Sequence, residues 1–256
     1  MLVDKNVLVF AASGAVAGAV ARTCAAQGAT VWASARRGEA AEELAAEIVG
    51  TGGRAHAAEV DATDAEAVAR HVGEVVDRAG GVDAVFNGIG GRPADLRYPA
   101  RLADLDLDGF LTPLRVIVGS QFLTSRAAGL AMAERGHGSV VTLSATLSGM
   151  TAAHMANLSA ACGAVEALTR SLAGELGPSG IRVNCVRAGA MPETRTIAET
   201  GAGQAAITGA APDFGLPPLR RPVTLAETAA TAAFLASDLS GGTTGQTLTV
   251  CAGQFV

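Results

Sequence analysis

A chain of 256 residues, 49% hydrophobic, 17% charged and 4% aromatic, is long enough for one α/β domain whose core needs no covalent staples. Its net charge of -5, with the basic residues scattered, leaves no cationic face and excludes nucleic acid and anionic membrane as partners. Cys24, Cys162, Cys185 and Cys251 lie far apart in apolar runs without a CxxC pair, and the four histidines show no ligand spacing. A reduced, cytoplasmic protein without a metal is therefore expected. The apolar stretch Val7 to Ala21 looks like a signal-peptide core, but Asp4 precedes it, its only basic neighbour is Lys5, and it divides into a strand and a helix. At about 15 residues it is also too short to span a bilayer.

Strand-like runs alternate with helical patterns along the chain. "NVLVFA" (6–11) leads to a helix near 15–27, "TVWASA" (30–35) to one near 39–50, and "AHAAEVD" (55–61) to one near 64–79. "DAVFNG" (83–88) is followed by a longer crossing and a helix over 114–134. "SVVTLS" (139–144) precedes a helix over 157–177, for which Asn157 is the expected N-cap. "RVNCVR" (182–187), a helix near 225–236 and "QTLTV" (246–250) complete the order. Seven such strands predict a Rossmann-type doubly wound parallel sheet in a single domain, with residues 10–17, 36–37, 61–62, 87–90, 144–148 and 187–194 on the rim at the strands' carboxyl ends. Residues 191–222, rich in Gly, Ala and Pro with Phe214 and Leu216 as isolated bulky groups, form the natural candidate for a mobile substrate lid.

Four separated runs in this order resemble the short-chain dehydrogenase/reductase family over nearly the whole chain: "FNGIG" (86–90), "DATD" (61–64), "AVEALTRSLAGELGPSGIRVNCV" (164–186) and "FLASDLSGGTTGQTLTV" (234–250). The resemblance implies a nicotinamide dinucleotide in the crevice, a small-molecule substrate and a homodimer or homotetramer paired through the helices around 114–134 and 158–177. It assigns cofactor contacts to Ser13, Gly14, Val16, Asp61, Ala62, Asn87, Gly88 and Thr194. The phosphate loop departs from the family's T-G-x-x-x-G-x-G, since "FAASGAVA" (10–17) puts Ala11, Ala15 and Ala17 at the glycine positions. Glycine serves there for a tight turn and for close backbone approach. Some enoyl reductases of the same superfamily also carry Ser or Ala in this loop. At the end of the second strand, where NAD-preferring members carry an acidic residue, stand Arg36 and Arg37. Paired arginines suit a 2′-phosphate and favour NADP(H) over NAD(H), the alternative being two solvated side chains and no dinucleotide.

The family's Asn, Ser, Tyr and Lys tetrad carries its acid–base chemistry. Registered on this chain, those positions hold Ile117, Ala145, Leu158 and Cys162. The only tyrosine, Tyr98, and the only lysine, Lys5, are not near the helix over 157–177, so no register shift restores a Tyr and Lys pair. A slip of one residue would bring the hydroxyl of Ser144 or Thr146 to the Ser position. Leu158 and Cys162 extend an apolar stripe, which favours a wall over a reactive thiol. His154, in the preceding loop, is the best titratable candidate, with Ser144 beside it as a bonding hydroxyl. Arg187 could bind an anionic ligand or close a salt bridge in the rim.

Three functions remain open at this level. One is an atypical oxidoreductase, acting on a small apolar or carbonyl-containing molecule, whose proton comes from water, His154 or the substrate. The second is a non-redox cyclase, isomerase or lyase on the same scaffold. The third is a pseudoenzyme that binds a ligand without chemistry. Trp32, the only tryptophan, is expected near the adenosine site.

Overall fold

Strands buried on both faces need apolar side chains at every position, and the first strand, β1 (Asn6–Phe10), supplies them: Val7, Leu8, Val9 and Phe10 are all inaccessible. Successive side chains point to opposite faces. Val7 and Val9 therefore join one apolar core with Val20 and Leu235, and Leu8 and Phe10 join a second with Val72 and Met132. The structure, a computed structural model, describes residues 1–210 and 217–254.

The element order is β1, α1 (Ala15–Ala26), β2 (Thr30–Ala35), α2 (Gly38–Gly50), β3 (Arg54–Glu59), α3 (Ala65–Ala79), β4 (Ala84–Asn87), α4 (Leu107–Pro113), α5 (Gly119–Ala133), β5 (Gly138–Ala145), α6 (Ala156–Leu176), β6 (Ile181–Ala188), α7 (Arg195–Thr208), α8 (Leu225–Ala236) and β7 (Thr247–Val250). The strands form one seven-stranded sheet in the order β3-β2-β1-β4-β5-β6-β7, and every neighbouring pair is parallel. The doubly wound fold expected from the alternation is the observed one, and its order reverses between β1 and β4. Local signals set several ends. Asp64 caps α3 by accepting from the Glu66 and Ala67 amides, and Thr224 with Glu227 forms a capping box at α8.

The crossing after β4 holds more helix than its sequence suggested. A π-helical turn, Leu114–Val118, links α4 to α5. Pro113, at the end of α4, has no N–H and cannot bond the carbonyl of Gly109. The Asn157 amide fills that place, its Nδ2 donating to Gly109 O at 3.1 Å as well as to Leu96 O at 3.1 Å and Arg97 O at 3.0 Å. Asn157 is thus not the N-cap of α6, which is Met155; it lies fully buried in the first turn and ties the β4 crossing to α6. In the proposed lid, residues 195–208 form α7, capped by Thr194. Phe214 and Leu216 lie outside the described residues.

The phosphate loop shows how two of its three substitutions are accommodated. Ala11 ends β1 with φ of 58°, the left-handed conformation that costs a side-chain-bearing residue about 1 kcal/mol. Ala17 is buried where α1 meets β4, and its methyl fits because residue 88 has none: a Cβ on Gly88 would lie 2.7 Å from that of Ala17. Gly88→Ala should therefore destabilise the chain by about 1–3 kcal/mol in urea melting, the range for overpacking. The double variant Gly88→Ala with Ala17→Gly should regain most of the loss. A Gly88→Ala chain as stable as the parent would contradict this packing.

Candidate functional site

Because all seven strands run parallel, the reversal between β1 and β4 opens a crevice at their carboxyl ends. Ser13, Gly14 and Ala15 are exposed at the head of α1, and Val16 is half-buried behind them. No side chain caps this helix, so the first-turn amides remain available to an anion. Arg36 and Arg37 are exposed after β2, and neither makes an ion pair among the described residues. Asp61 accepts from the Thr63 hydroxyl and amide at 2.7 and 2.9 Å; these bonds, and the nearby Arg36 charge, hold its carboxyl below the usual range. Ala62 is buried beside it.

Asn87, buried at the end of β4, anchors this edge. Its Nδ2 donates to Thr124 Oγ1 at 2.9 Å, its Oδ1 accepts from the Ile89 amide at 2.7 Å, and its carbonyl accepts from Gln121 Nε2 at 2.9 Å. Thr194, at the far side of the crevice, accepts from the Ile197 amide and donates to Met191 O, so its hydroxyl is engaged in capping α7. Trp32, expected near the adenosine position, faces the other way. Its Nε1 donates to Asn6 Oδ1 at the start of β1, and its ring packs against His56 and beneath Arg78.

The four tetrad-aligned positions come together. Ile117 in the π turn, Ala145 at the end of β5, and Leu158 and Cys162 on the first turns of α6 share one apolar cluster with Leu96, Met155 and Val165. Burial pushes the Cys162 thiol up to about 11, despite a hydrogen bond from the Ala145 backbone, so it is not a thiolate near neutral pH. The same cluster contains Tyr98. Its distance in sequence from α6 was misleading: Asn157 holds the carbonyls of Leu96 and Arg97, and the Ala100 amide donates to His154 O at 2.9 Å, which folds the Tyr98 loop onto the helix start. His154 is half-buried, with φ of 65°.

Beneath this floor lies a charged group that the sequence reading passed over. Glu166, one turn after Cys162, is 6% exposed and accepts hydrogen bonds at Oε1 from Ser144 and from Arg187 Nε, both at 2.8 Å, and from Ser148. Arg187 Nη2 bonds Oε2. Burial raises the Glu166 carboxyl, but Arg187, Ser148 and Ser144 outweigh it and hold the group below the ordinary range. The ion-pair alternative for Arg187 is therefore the observed one, and Ser144 is spent on Glu166 instead of a ligand. Thr146, on the other side of Ala145, is buried as well. The missed signal was an acidic residue on an otherwise apolar helix face, which requires a buried cation.

A doubly wound parallel sheet with an uncapped helix N-terminus at its switch point defines a Rossmann-type fold. The chain belongs to the short-chain dehydrogenase/reductase family of oxidoreductases: residues 11–254 match the family model described as enoyl-(acyl carrier protein) reductase. It is 32% identical to the short-chain reductase protein NovJ of Streptomyces niveus over 98% of this chain and 94% of that one. It is 42% identical to the NADH-dependent enoyl-[acyl-carrier-protein] reductase FabI of Nostoc sp. over 58% of this chain and 55% of that protein. The solved structure of an NAD+-bound xylitol dehydrogenase superposes with a TM-score of 0.91 at 28% identity, covering 98% of this chain and 99% of that one. Among the described residues, no helix is long and apolar enough to cross a membrane.

Glu166→Gln should lower stability at pH 7 by about 2–3 kcal/mol, somewhat less than a fully buried pair loses, because the Arg187 side chain keeps 26% of its surface in solvent. Since the folded carboxyl titrates below its unfolded value, its contribution is complete above about pH 4.3 and fades as the pH falls through the folded value. Melting curves of parent and variant should therefore converge in acid; a constant gap from pH 7 to pH 3 would refute the assignment.

Proposed function

We propose that this protein is an oxidoreductase that binds NADP(H) and acts on a small apolar, carbonyl-containing molecule without the family's Tyr and Lys acid–base pair. The observation that carries the reading is the gathering of Ile117, Ala145, Leu158 and Cys162 into one apolar cluster, in a chain whose first helix keeps an uncapped N-terminus. Ser13, Gly14 and Val16 at the head of α1 would hold the pyrophosphate, and Arg36 and Arg37 the 2′-phosphate. Asp61 and Ala62 would flank the adenine, while Asn87, Gly88 and Thr194 would shape the nicotinamide side. When bound, the nicotinamide supplies hydride chemistry, which belongs to the cofactor more than to the protein.

The chain's own part is to exclude water and orient the substrate. An apolar floor suits a double bond conjugated to a carbonyl better than an isolated ketone, because charge arising on the conjugated oxygen is delocalised and the proton can come from water. The descriptions of the enoyl-reductase family model and relative agree with that preference. Residues 191–222, including α7, serve in this reading as the lid. Exposed Phe122 and Leu130 on α5, 43% and 51% accessible, support pairing of two or four copies through that helix. The cytoplasm is the proposed compartment.

One observation favours a second reading. The exposed Ala15 methyl at the head of α1 and the strained Ala11 stand where the family keeps glycine, which suits a non-redox cyclase, isomerase or lyase, or a ligand-binding chain without chemistry. Thermal shift separates the readings, since Trp32 faces away from the crevice and is a poor reporter. NADPH at high micromolar concentration should raise Tm by several degrees, and no rise would sink the first reading. Arg36→Ala with Arg37→Ala should weaken NADPH tenfold or more and NADH less than about twofold, as expected when charge-assisted hydrogen bonds are lost. Equal losses would refute the phosphate assignment.

A further inference from the structure

The cleft keeps one polar group whose task nothing above assigns, the hydroxyl of Tyr98. The residue is 6% exposed, within the cluster formed by Ile117, Leu158 and Cys162, and its hydroxyl has no hydrogen-bond partner among the described residues. The oxygen is not among the fully enclosed polar atoms that lack a partner, so it reaches the surface of the cleft, where it can donate to a ligand. Its cluster sets the residue against Cys162 on α6, and the next residue, Pro99, touches α7, so it lies between the helix that carries the apolar floor and the helix of the proposed lid. The loop is built to hold it there. Asn157 fixes the carbonyls before it and His154 the amide after it. Pro99 abuts Gly203 of α7 so closely that a Cβ there would lie 2.9 Å from its ring. Pro99, Ala100 and Arg101 then line a cavity of about 370 Å³ whose far wall is Ala206 and Ile207 of α7.

We infer that Tyr98 is the substrate-anchoring hydrogen-bond donor of this cleft, presenting its hydroxyl to the carbonyl oxygen of a thioester or ketone from beside the tetrad-aligned positions. The inference rests on the reading of the site as a carbonyl-binding cleft. Burial, with Cys162 and Glu199 nearby, pushes the phenol up to about 12. It therefore remains protonated near neutral pH and acts as a donor, not as a base. No covalent bond to the protein is involved: the donor steadies charge on the substrate oxygen and keeps its own proton.

Tyr98 is the chain's only tyrosine, so a protein labelled with carbon-13 at the tyrosine ring carbon bearing oxygen gives one resonance. Full-length protein is titrated with crotonyl-CoA, a conjugated thioester, and separately with cyclohexanone, a ketone. The resonance should move with one or both, and the responding probe tells thioester from ketone. Tyr98→Phe keeps the ring, so its Tm and NADPH affinity should match the parent. Its affinity for the responding probe should fall by about threefold to tenfold, the worth of one neutral hydrogen bond. A resonance unmoved by both probes, or a Phe variant that binds the responding probe as tightly as the parent, overturns the assignment. Failure of the parent to bind NADPH would instead count against the oxidoreductase reading, since the probe titrations contain no dinucleotide.

Discussion

One buried carboxylate holds together the elements that form the floor of the cleft. Glu166 rises from α6, takes Ser144 from the end of β5 and Ser148 from the turn that follows, and pairs with Arg187 near the end of β6. A charge in this setting is tolerable because its oxygens are occupied by hydrogen bonds and its counter-ion reaches solvent on one side. The arrangement fixes how α6 lies across the sheet, and with it the positions of Leu158 and Cys162. It also consumes polar groups that sequence reasoning had offered to a ligand. With Ser144 and Arg187 turned inward and Cys162 protonated, the floor above them presents mainly carbon.

The phosphate loop follows a similar logic, in which geometry is retained while the usual residue is changed. Ala17 fits against β4 because Gly88 makes room for its methyl, so the approach of helix to strand survives an exchange of which residue carries the side chain. Ala11 adopts a conformation that glycine would hold more cheaply. The first turn of α1 remains uncapped and open. The uncapped first turn of α1 and the exposed Arg36 and Arg37 line one part of the crevice, and the apolar cluster of Ile117, Ala145, Leu158 and Cys162 lines another.

Much of this was legible in the sequence because it is periodic. Runs such as "NVLVF" and "SVVTLS", short, β-branched and bounded by turns, read as strands of a covered sheet, and Ile117, Ala145, Leu158 and Cys162, the positions registered on the matched motifs, lie in one cluster. What escaped the sequence depended on contacts distant in the chain. Asn157 looked like a cap because that is where small polar residues usually serve, and only the distant carbonyls of Leu96, Arg97 and Gly109 explain its burial. Tyr98 lies sixty residues from Leu158, and nothing local shows that its loop folds back onto α6. Helix α7 was hidden by Gly, Ala and Thr, which make no clear apolar stripe, and Trp32 took a direction set by Asn6 and His56.

If the cleft works as proposed, substrate is oriented by apolar contact and by a neutral donor, with no side chain exchanging protons near neutral pH. The rate of NADPH-dependent reduction of crotonyl-CoA in a single turnover, followed from pH 6 to pH 9, tests that claim most directly. Because burial holds Cys162 near 11 and Tyr98 near 12, the account predicts a rate that stays level across the window. A rate that rises or falls with an apparent pKa inside it would show that a titrating side chain takes part, and would contradict the account.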